Sequence, residues 1–160
     1  MTLPRNLTPS FTGAIDGGMD YMRGRTPIAR DKVILSVLIP VYNECNTIRL
    51  ILEQVHAVPV QKEVICVNDC STDGTREILD GLHADGLIHK LIHQPANRGK
   101  GAAIRTALEA STGNILIVQD ADLEYDPADW PLLLDPIIHG KADAVFGSRF
   151  LGGSHRVLYF

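Results

Sequence analysis

From residue 33 onward, short apolar runs alternate with segments of helical periodicity. The runs are VILSVLIP (33–40), EVICVND (63–69), LIHKLIHQ (87–94), NILIVQD (114–120) and ADAVFGS (142–148). Each is too short for a helix and is bounded by turn-forming residues, as buried strands are. Between them, Ile48, Ile51, Leu52 and Val55 recur at helical spacing, with Asn43 or Asn46 placed to cap the helix. STDGTREILDGL (71–82) predicts a second helix capped by Ser71 or Asp73, with Ile78, Leu79 and Leu82 as its apolar face. Gly101 to Ala110 predicts a third, alanine-rich helix closed by Gly113, and residues 129–139 a fourth despite Pro131 and Pro136. The order β-α-β-α-β-α-β-α-β predicts an α/β fold, a Rossmann-like, mostly parallel sheet with helices on both faces.

The first 30 residues differ. Pro4, Pro9, Pro27 and the glycines at 13, 17, 18 and 24 break any sustained period, with Arg5, Arg23, Arg25 and Arg30 scattered among them. We read 1–30 as an irregular leader, with a short helix around 20–23, and 31–160 as one domain. The chain has 160 residues, enough for one core, and a formal net charge of −4 without a basic block, which argues against a nucleic-acid partner. Cys45, Cys66 and Cys70 are an odd number with no matching pair at zinc-finger spacing, and no secretory leader precedes them. The chain therefore reads as cytoplasmic with reduced thiols. No apolar run reaches the roughly 18 residues of a membrane span.

In open α/β sheets ligands bind beyond the carboxyl ends of the strands. The unusual polar residues fall at those ends. Run 1 leads into Pro40-Val41-Tyr42-Asn43-Glu44, run 2 into Asn68-Asp69-Cys70-Ser71, run 4 into Asp120-Ala121-Asp122-Leu123-Glu124, and run 5 into Gly147-Ser148-Arg149. If extended backbone continues, Asp120 and Asp122 project to one side about 6.6 Å apart. Two or three carboxylates, Glu124 being the third, suit a hard divalent cation, Mg²⁺ or Mn²⁺, with positions left for phosphate oxygens. The bland alternative is an acidic turn before a helix, and Asp126 before Pro127 fits that role. Tyr42 can stack on a base or sugar, and Glu44 can accept from a ribose or base donor. Asp69 can accept a ring N–H from a nucleobase. Asn97-Arg98-Gly99-Lys100-Gly101 is a basic, glycine-rich helix entry, so backbone N–H groups and Lys100 can face phosphate. It is neither a Walker loop nor a dinucleotide fingerprint, which disfavours a dehydrogenase. The six histidines read as structural or surface groups.

Together, V-L-I-P-V-Y-N-E, N-D-C-S-T-D-G-T, N-R-G-K-G, Q-D-A-D-L-E-Y-D-P and G-S-R-F resemble glycosyltransferase family 2. The closer likeness is to the dolichyl-phosphate mannosyltransferase and polyprenyl-phosphate glycosyltransferase branch. The resemblance runs from about Leu35 to Phe150. It implies a GT-A nucleotide-sugar-binding domain and metal-dependent, inverting transfer of a hexose from a donor such as GDP-mannose or UDP-glucose. The acceptor implied is a polyprenyl phosphate. A cell-wall or polysaccharide glycan is the alternative acceptor, and a donor-binding fragment without turnover is the alternative function. By motif position, Pro40, Tyr42, Glu44, Val67 and Asp69 would line the nucleoside pocket. Asp120, Ala121 and Asp122 would meet diphosphate and metal, with Glu124 completing the shell, and Arg149 would meet the acceptor phosphate. Two departures stand out: Asn68 where the family has Asp, and Cys70 where it has Gly. The sequence also stops where relatives carry acceptor-binding and membrane-associated segments. That implies a truncated chain and peripheral membrane association through the segments beyond.

Overall fold

The computed structural model describes residues 26–147. They form strands β1 (Leu35–Val41), β2 (Lys62–Asn68), β3 (Lys90–His93) and β4 (Ile115–Val118). The helices are α1 (Ile48–Ala57), α2 (Thr75–Ala84), α3 (Lys100–Ala110) and α4 (Trp130–Ile138). Single 3-10 turns stand at Arg30–Lys32 and Pro127–Asp129. The four strands make one parallel sheet in the order β3-β2-β1-β4.

Strand alternation sorts the core into two layers. Leu35, Val37, Ile39 and Val41 face α1, α2 and α4, where they meet Ile48, Ile51, Leu52, Leu79, Leu82, Trp130 and Leu134. Leu38, Ile65 and Val67 face the other way, against Ala103 and Ala107 of α3. The alanines let α3 lie close to the sheet. That helix covers β1 and β2 but leaves Leu116 and Val118 on β4 nearly half exposed.

The chain lays down β1, β2 and β3 in one direction, then crosses back over β1 to place β4. The order therefore reverses between β1 and β4. The strands splay from a common line there, leaving the crevice in which sheets of this kind bind ligands.

The opposite rim is held by a buried carboxylate. Glu63 accepts from Ser36 Oγ, Lys90 Nζ, the Thr112 N–H and hydroxyl, and the Gly113 N–H. This ties β1, β2 and β3 to the α3–β4 turn. Burial pushes the Glu63 pKa up, but the bonds from Ser36, Thr112 and Lys90 outweigh it and hold the group at about 2. A Cβ on Gly113 would collide with the Ile34 carbonyl oxygen, so only glycine fits this approach. Lys62 donates to the Val55, His56 and Val58 carbonyls and so satisfies the C-terminal end of α1.

Two expectations are corrected. Residues 142–147 of the fifth run form no strand. A strand exists only through its ladder, and no pairing to this segment occurs among the described residues; Phe146 is 89% exposed. Of the side chains expected to cap helices, Asp73 does so, its Oδ1 accepting from the Thr75 N–H at the start of α2, and Asn43 does other work. Asn43 Oδ1 accepts from the Thr72 N–H, and neither Thr47, which precedes α1, nor Gly74, which precedes α2, makes a side-chain capping bond. The helix expected at 20–23, most of the leader, Ser148 and Arg149 lie outside the described residues. No described helix is long and apolar enough to cross a membrane.

Candidate functional site

A cleft of about 320 Å³ opens at the β1/β4 crossover. Pro40, Val41, Tyr42 and Glu44 supply one wall, Asp69 the floor beside it, and Asn97, Gly99, Lys100 and Ala103 the α3 side. Asp120, Ala121 and Asp122 close it from β4. Strand ends far apart in sequence are brought together because parallel strands all point their C-termini one way. A larger cavity of about 430 Å³ lies by Asn114–Leu116, at the other end of β4, and its only acid is Asp143. It offers little for a phosphate or a metal.

The β1–α1 and β2–α2 loops are stitched together. Asn43 N–H donates to Ser71 Oγ, Glu44 N–H to Thr75 Oγ1, and Cys45 N–H to Asp73 Oδ2. Asn43 is left-handed, with φ 56°, as asparagine tolerates. Hydrogen bonds from Thr75 and Cys45 hold the Asp73 carboxyl well below the usual range. The Cys45 thiol, bonded to Asp73 and close to its charge, is raised. Ser71, Asp73 and Thr75 thus shape the loops. Tyr42 remains 48% exposed at the cleft mouth, able to meet a ligand face.

Asn68 is explained by its neighbours. Its Oδ1 accepts from the Ser71 N–H and hydroxyl, while its Nδ2 donates to His93 Nδ1. His93 Nε2 in turn bonds Asp80. An amide offers an acceptor on one side and a donor on the other, which a carboxylate does not. At Cys70 the backbone keeps the left-handed turn, φ 63°, without glycine. Cys70→Gly should therefore raise stability by about 0.5 kcal/mol, strain relief exceeding the added unfolded-state entropy. A thermal melt should show a rise of about 2 °C.

Asp69, 2% exposed, anchors the glycine-rich loop. Its Oδ1 accepts from the Arg98 N–H at 2.8 Å and its Oδ2 from the Gly99 N–H at 2.7 Å. Gly99 sits at φ 85°, where a side chain would be strained. The loop delivers Lys100, whose Nζ lies 2.7 Å from Asp120 Oδ2.

The acidic loop departs from the extended geometry expected of it. β4 ends at Val118, residues 121–125 bend, and Leu123 is left-handed with φ 66°. Asp120 and Asp122 both line the cleft, but Glu124 does not, and no cluster of three metal-ligating side chains forms among the described residues. Asp122 Oδ1 instead accepts from the Glu124 N–H. Asp126 Oδ1 accepts from the Ala128 N–H, the turn role expected of it. Two carboxylates would leave a divalent cation positions open for other oxygen ligands, and one of the two, Asp120, is paired here with the Lys100 ammonium. Val67 is fully buried against α3 rather than on the cleft wall.

Gln119 was not singled out by sequence. It is 1% exposed, accepts from Trp130 Nε1, and donates to the Asp120 and Tyr125 carbonyls, setting the start of the acidic loop. Its signal was available: a polar residue on the core-facing register of a strand, in step with Ile115 and Ile117.

Residues 36–160 match the family model described as glycosyl transferase family 2. The chain belongs to glycosyltransferase family 2. Among relatives, it is 34% identical over 125 residues to glycosyltransferase AglD of Haloferax volcanii, covering 74% of this chain and 20% of that one. It is 34% identical over 121 residues to polyprenol monophosphomannose synthase of Mycolicibacterium smegmatis, covering 73% and 45%. The chain thus spans less than half the length of these relatives. A mannosyltransferase from Pyrobaculum calidifontis, solved with GDP-Man and Mn²⁺, superposes with TM-score 0.55 at 30% identity, over 61% of this chain and 30% of that one. Glucosyl-3-phosphoglycerate synthase from Mycobacterium tuberculosis, solved with Mn²⁺, UDP and glucosyl-3-phosphoglycerate, gives TM-score 0.55 at 26% identity over 68% and 41%. The family 2 chain has the α/β GT-A fold, and its cleft lies at the sheet's carboxyl rim.

Proposed function

We propose that this chain is the donor-binding part of an inverting, metal-dependent glycosyltransferase. It would move a hexose, mannose or glucose, from a nucleotide sugar to a polyprenyl phosphate at the cytoplasmic face of a membrane. The observation that carries the reading is the convergence of Asp120, Asp122, Lys100 and Asp69 on one cleft at the β1/β4 crossover. Relatives named as a dodecaprenyl-phosphate galacturonate synthase and a polyprenol monophosphomannose synthase support the acceptor class. Residues 31–160 would form the catalytic domain, with 1–30 as its leader.

In this reading Pro40 and Tyr42 bear on the nucleoside and Glu44 accepts from its hydroxyls. Asp69 holds the loop that presents Lys100, with Val67 packing behind it. Asp120 and Asp122 would hold Mg²⁺ or Mn²⁺, Glu124 standing near, and Ala121 leaves room for the diphosphate. When bound, the cation supplies positive charge against the departing diphosphate. Lys100 is placed to exchange Asp120 for a phosphate oxygen. Arg149 would meet the acceptor phosphate. A phosphate monoester has its second pKa near 6, so it is already nucleophilic at neutral pH and needs no strong base.

The test is donor binding. UDP or GDP should raise the melting temperature more with Mn²⁺ than without it, and Asp122→Ala should weaken the Mn²⁺-dependent affinity about tenfold, the equivalent of one lost contact. No Mn²⁺-dependent response in the unaltered chain, or none lost in the variant, would sink the assignment.

A further inference from the structure

An unbroken run of hydrogen bonds joins α2 to the mouth of the cleft. The Asn43 N–H donates to Ser71 Oγ at 3.0 Å, and the Ser71 hydroxyl donates to Asn68 Oδ1 at 2.6 Å. Asn68 Nδ2 stands 3.0 Å from His93 Nδ1, and His93 Nε2 stands 3.0 Å from Asp80 Oδ1. Asn43 sits between Tyr42 and Glu44, both on the cleft wall assigned above to the nucleoside.

Neighbours set each proton in the run. The Ser71 N–H, 3.0 Å from Asn68 Oδ1, can only donate, so the Asn68 oxygen faces Ser71 and its NH₂ faces His93. His93 Nδ1 must then accept, as a neutral imidazole can and an imidazolium cannot. The ring proton lies on Nε2, toward the Asp80 carboxylate. A proton on Nδ1 would set donor against donor. Turning the Asn68 amide over moves the conflict to the Ser71 N–H, and at 1% exposed that amide has no water to turn to. Asp80 attracts charge onto the ring, but Nδ1 faces the Asn68 NH₂ regardless. The other ionisable groups nearby are engaged or stand further along the chain. Lys90 is held by Glu63 and the Ala110 carbonyl, His83 bonds the Ile88 carbonyl, and His89 Nδ1 accepts from the Val64 N–H. Glu77 precedes Asp80 by one turn of α2, and Arg98 follows β3 in the glycine-rich loop.

We propose that His93 is a positioning residue for the donor nucleoside, acting through Asn68 and Ser71 on the β1–α1 loop, and only while its ring is neutral. In acid both ring nitrogens become donors and the run breaks at Asn68. The Glu44 N–H keeps its bond to Thr75 Oγ1, so the loop loosens at Asn43 rather than detaching. Tyr42 and Glu44 flank that point, whereas the diphosphate end of the cleft is built from α3 and β4. The proposal rests on the nucleotide reading of the cleft.

Calorimetric titration of the full chain with UDP, GDP and pyrophosphate, each with Mn²⁺, at about pH 8 and about pH 5.5 spans the ordinary histidine range. Pyrophosphate carries the pH dependence of metal and phosphate, so the readout is nucleotide affinity relative to pyrophosphate. In the unaltered chain that ratio should fall about tenfold in acid, as for one lost hydrogen bond. His93→Asn offers an acceptor that cannot be protonated. Its ratio should stay within about threefold of the unaltered chain at the higher pH and should not fall in acid. His93→Leu, with no acceptor, should show the low ratio at both pH values. If that variant does not fold, the His93→Asn comparison decides, together with a ¹⁵N spectrum of the unaltered chain, where the ring should carry its proton on Nε2 alone at the higher pH. A proton on Nδ1 there overturns the proposal. So does a ratio that does not fall in acid, or falls equally in His93→Asn, or is as low in His93→Asn as in His93→Leu. Nucleotide and pyrophosphate affinities dropping together in His93→Leu mark a purely structural role and also overturn it. Each of these leaves the cleft reading intact. If the unaltered chain binds neither UDP nor GDP, the cleft reading fails, and this proposal with it.

Discussion

Glu63→Gln is expected to cost the fold about 3 kcal/mol at neutral pH. The carboxylate takes bonds from Ser36, Thr112 N–H and hydroxyl, Gly113 and Lys90. An amide has one oxygen, and its NH₂ would face either the Lys90 ammonium or the Thr112 and Gly113 N–H groups, all of which can only donate. It also removes the counter-charge of Lys90. The pH dependence follows from the pKa, which falls from an ordinary 4.5 to about 2 on folding. Because the folded value lies below the unfolded one, the stabilisation is complete above about pH 5 and is lost as the pH falls through 4.5 toward 2. Urea melts at pH 7 and near pH 3 should show the gap between unaltered chain and variant narrowing in acid. A constant gap would mean that the carboxylate's charge contributes nothing.

Asp69→Asn should weaken nucleoside diphosphate binding about 100-fold, close to 3 kcal/mol. The side chain keeps its size, so packing is spared. Its NH₂ would face either the Arg98 or the Gly99 N–H, and one of two short bonds becomes donor against donor. The loop carrying Asn97, Gly99 and Lys100 then loses its anchor, and misplacing binding groups by even about 1 Å is costly. Calorimetric titration with UDP or GDP and Mn²⁺ checks it. Affinity within threefold of the unaltered chain would show that the loop holds its position without this carboxylate.

Several parts of this architecture were legible in the residues. Apolar runs at 33–40 and 63–69 mark strands because a strand buried on both faces has no polar side to show, and the run at 114–120 marks β4 although its Leu116 and Val118 stay nearly half exposed. The polar clusters at 40–44, 68–71 and 120–122 follow them directly, so the rim could be read before the fold. Capping was less legible. Asn43 and Ser71 have the chemistry of helix caps, but each bonds the other's loop about 28 residues away, which propensity does not see; Asp73 bonds both Cys45 in that loop and the Thr75 N–H that opens its own helix. The acidic loop misled for a similar reason. Its D-x-D spacing suggests a shared face only if the strand continues, and the bends at 121–125 with Leu123 left-handed redirect Glu124.

By itself the sequence determined the α/β class, the strand ends that line the cleft, and the family, since hydrophobic period and motif order are properties of the chain alone. Tertiary structure alone decided that Asp69 holds a loop, that Lys100 sits on Asp120, that Glu63 gathers five donors, and that Asn68 joins Ser71 to His93. Each of these depends on which strands neighbour which. The crossover that places β4 beside β1 is set by packing over the whole sheet, so no local stretch of sequence encodes it.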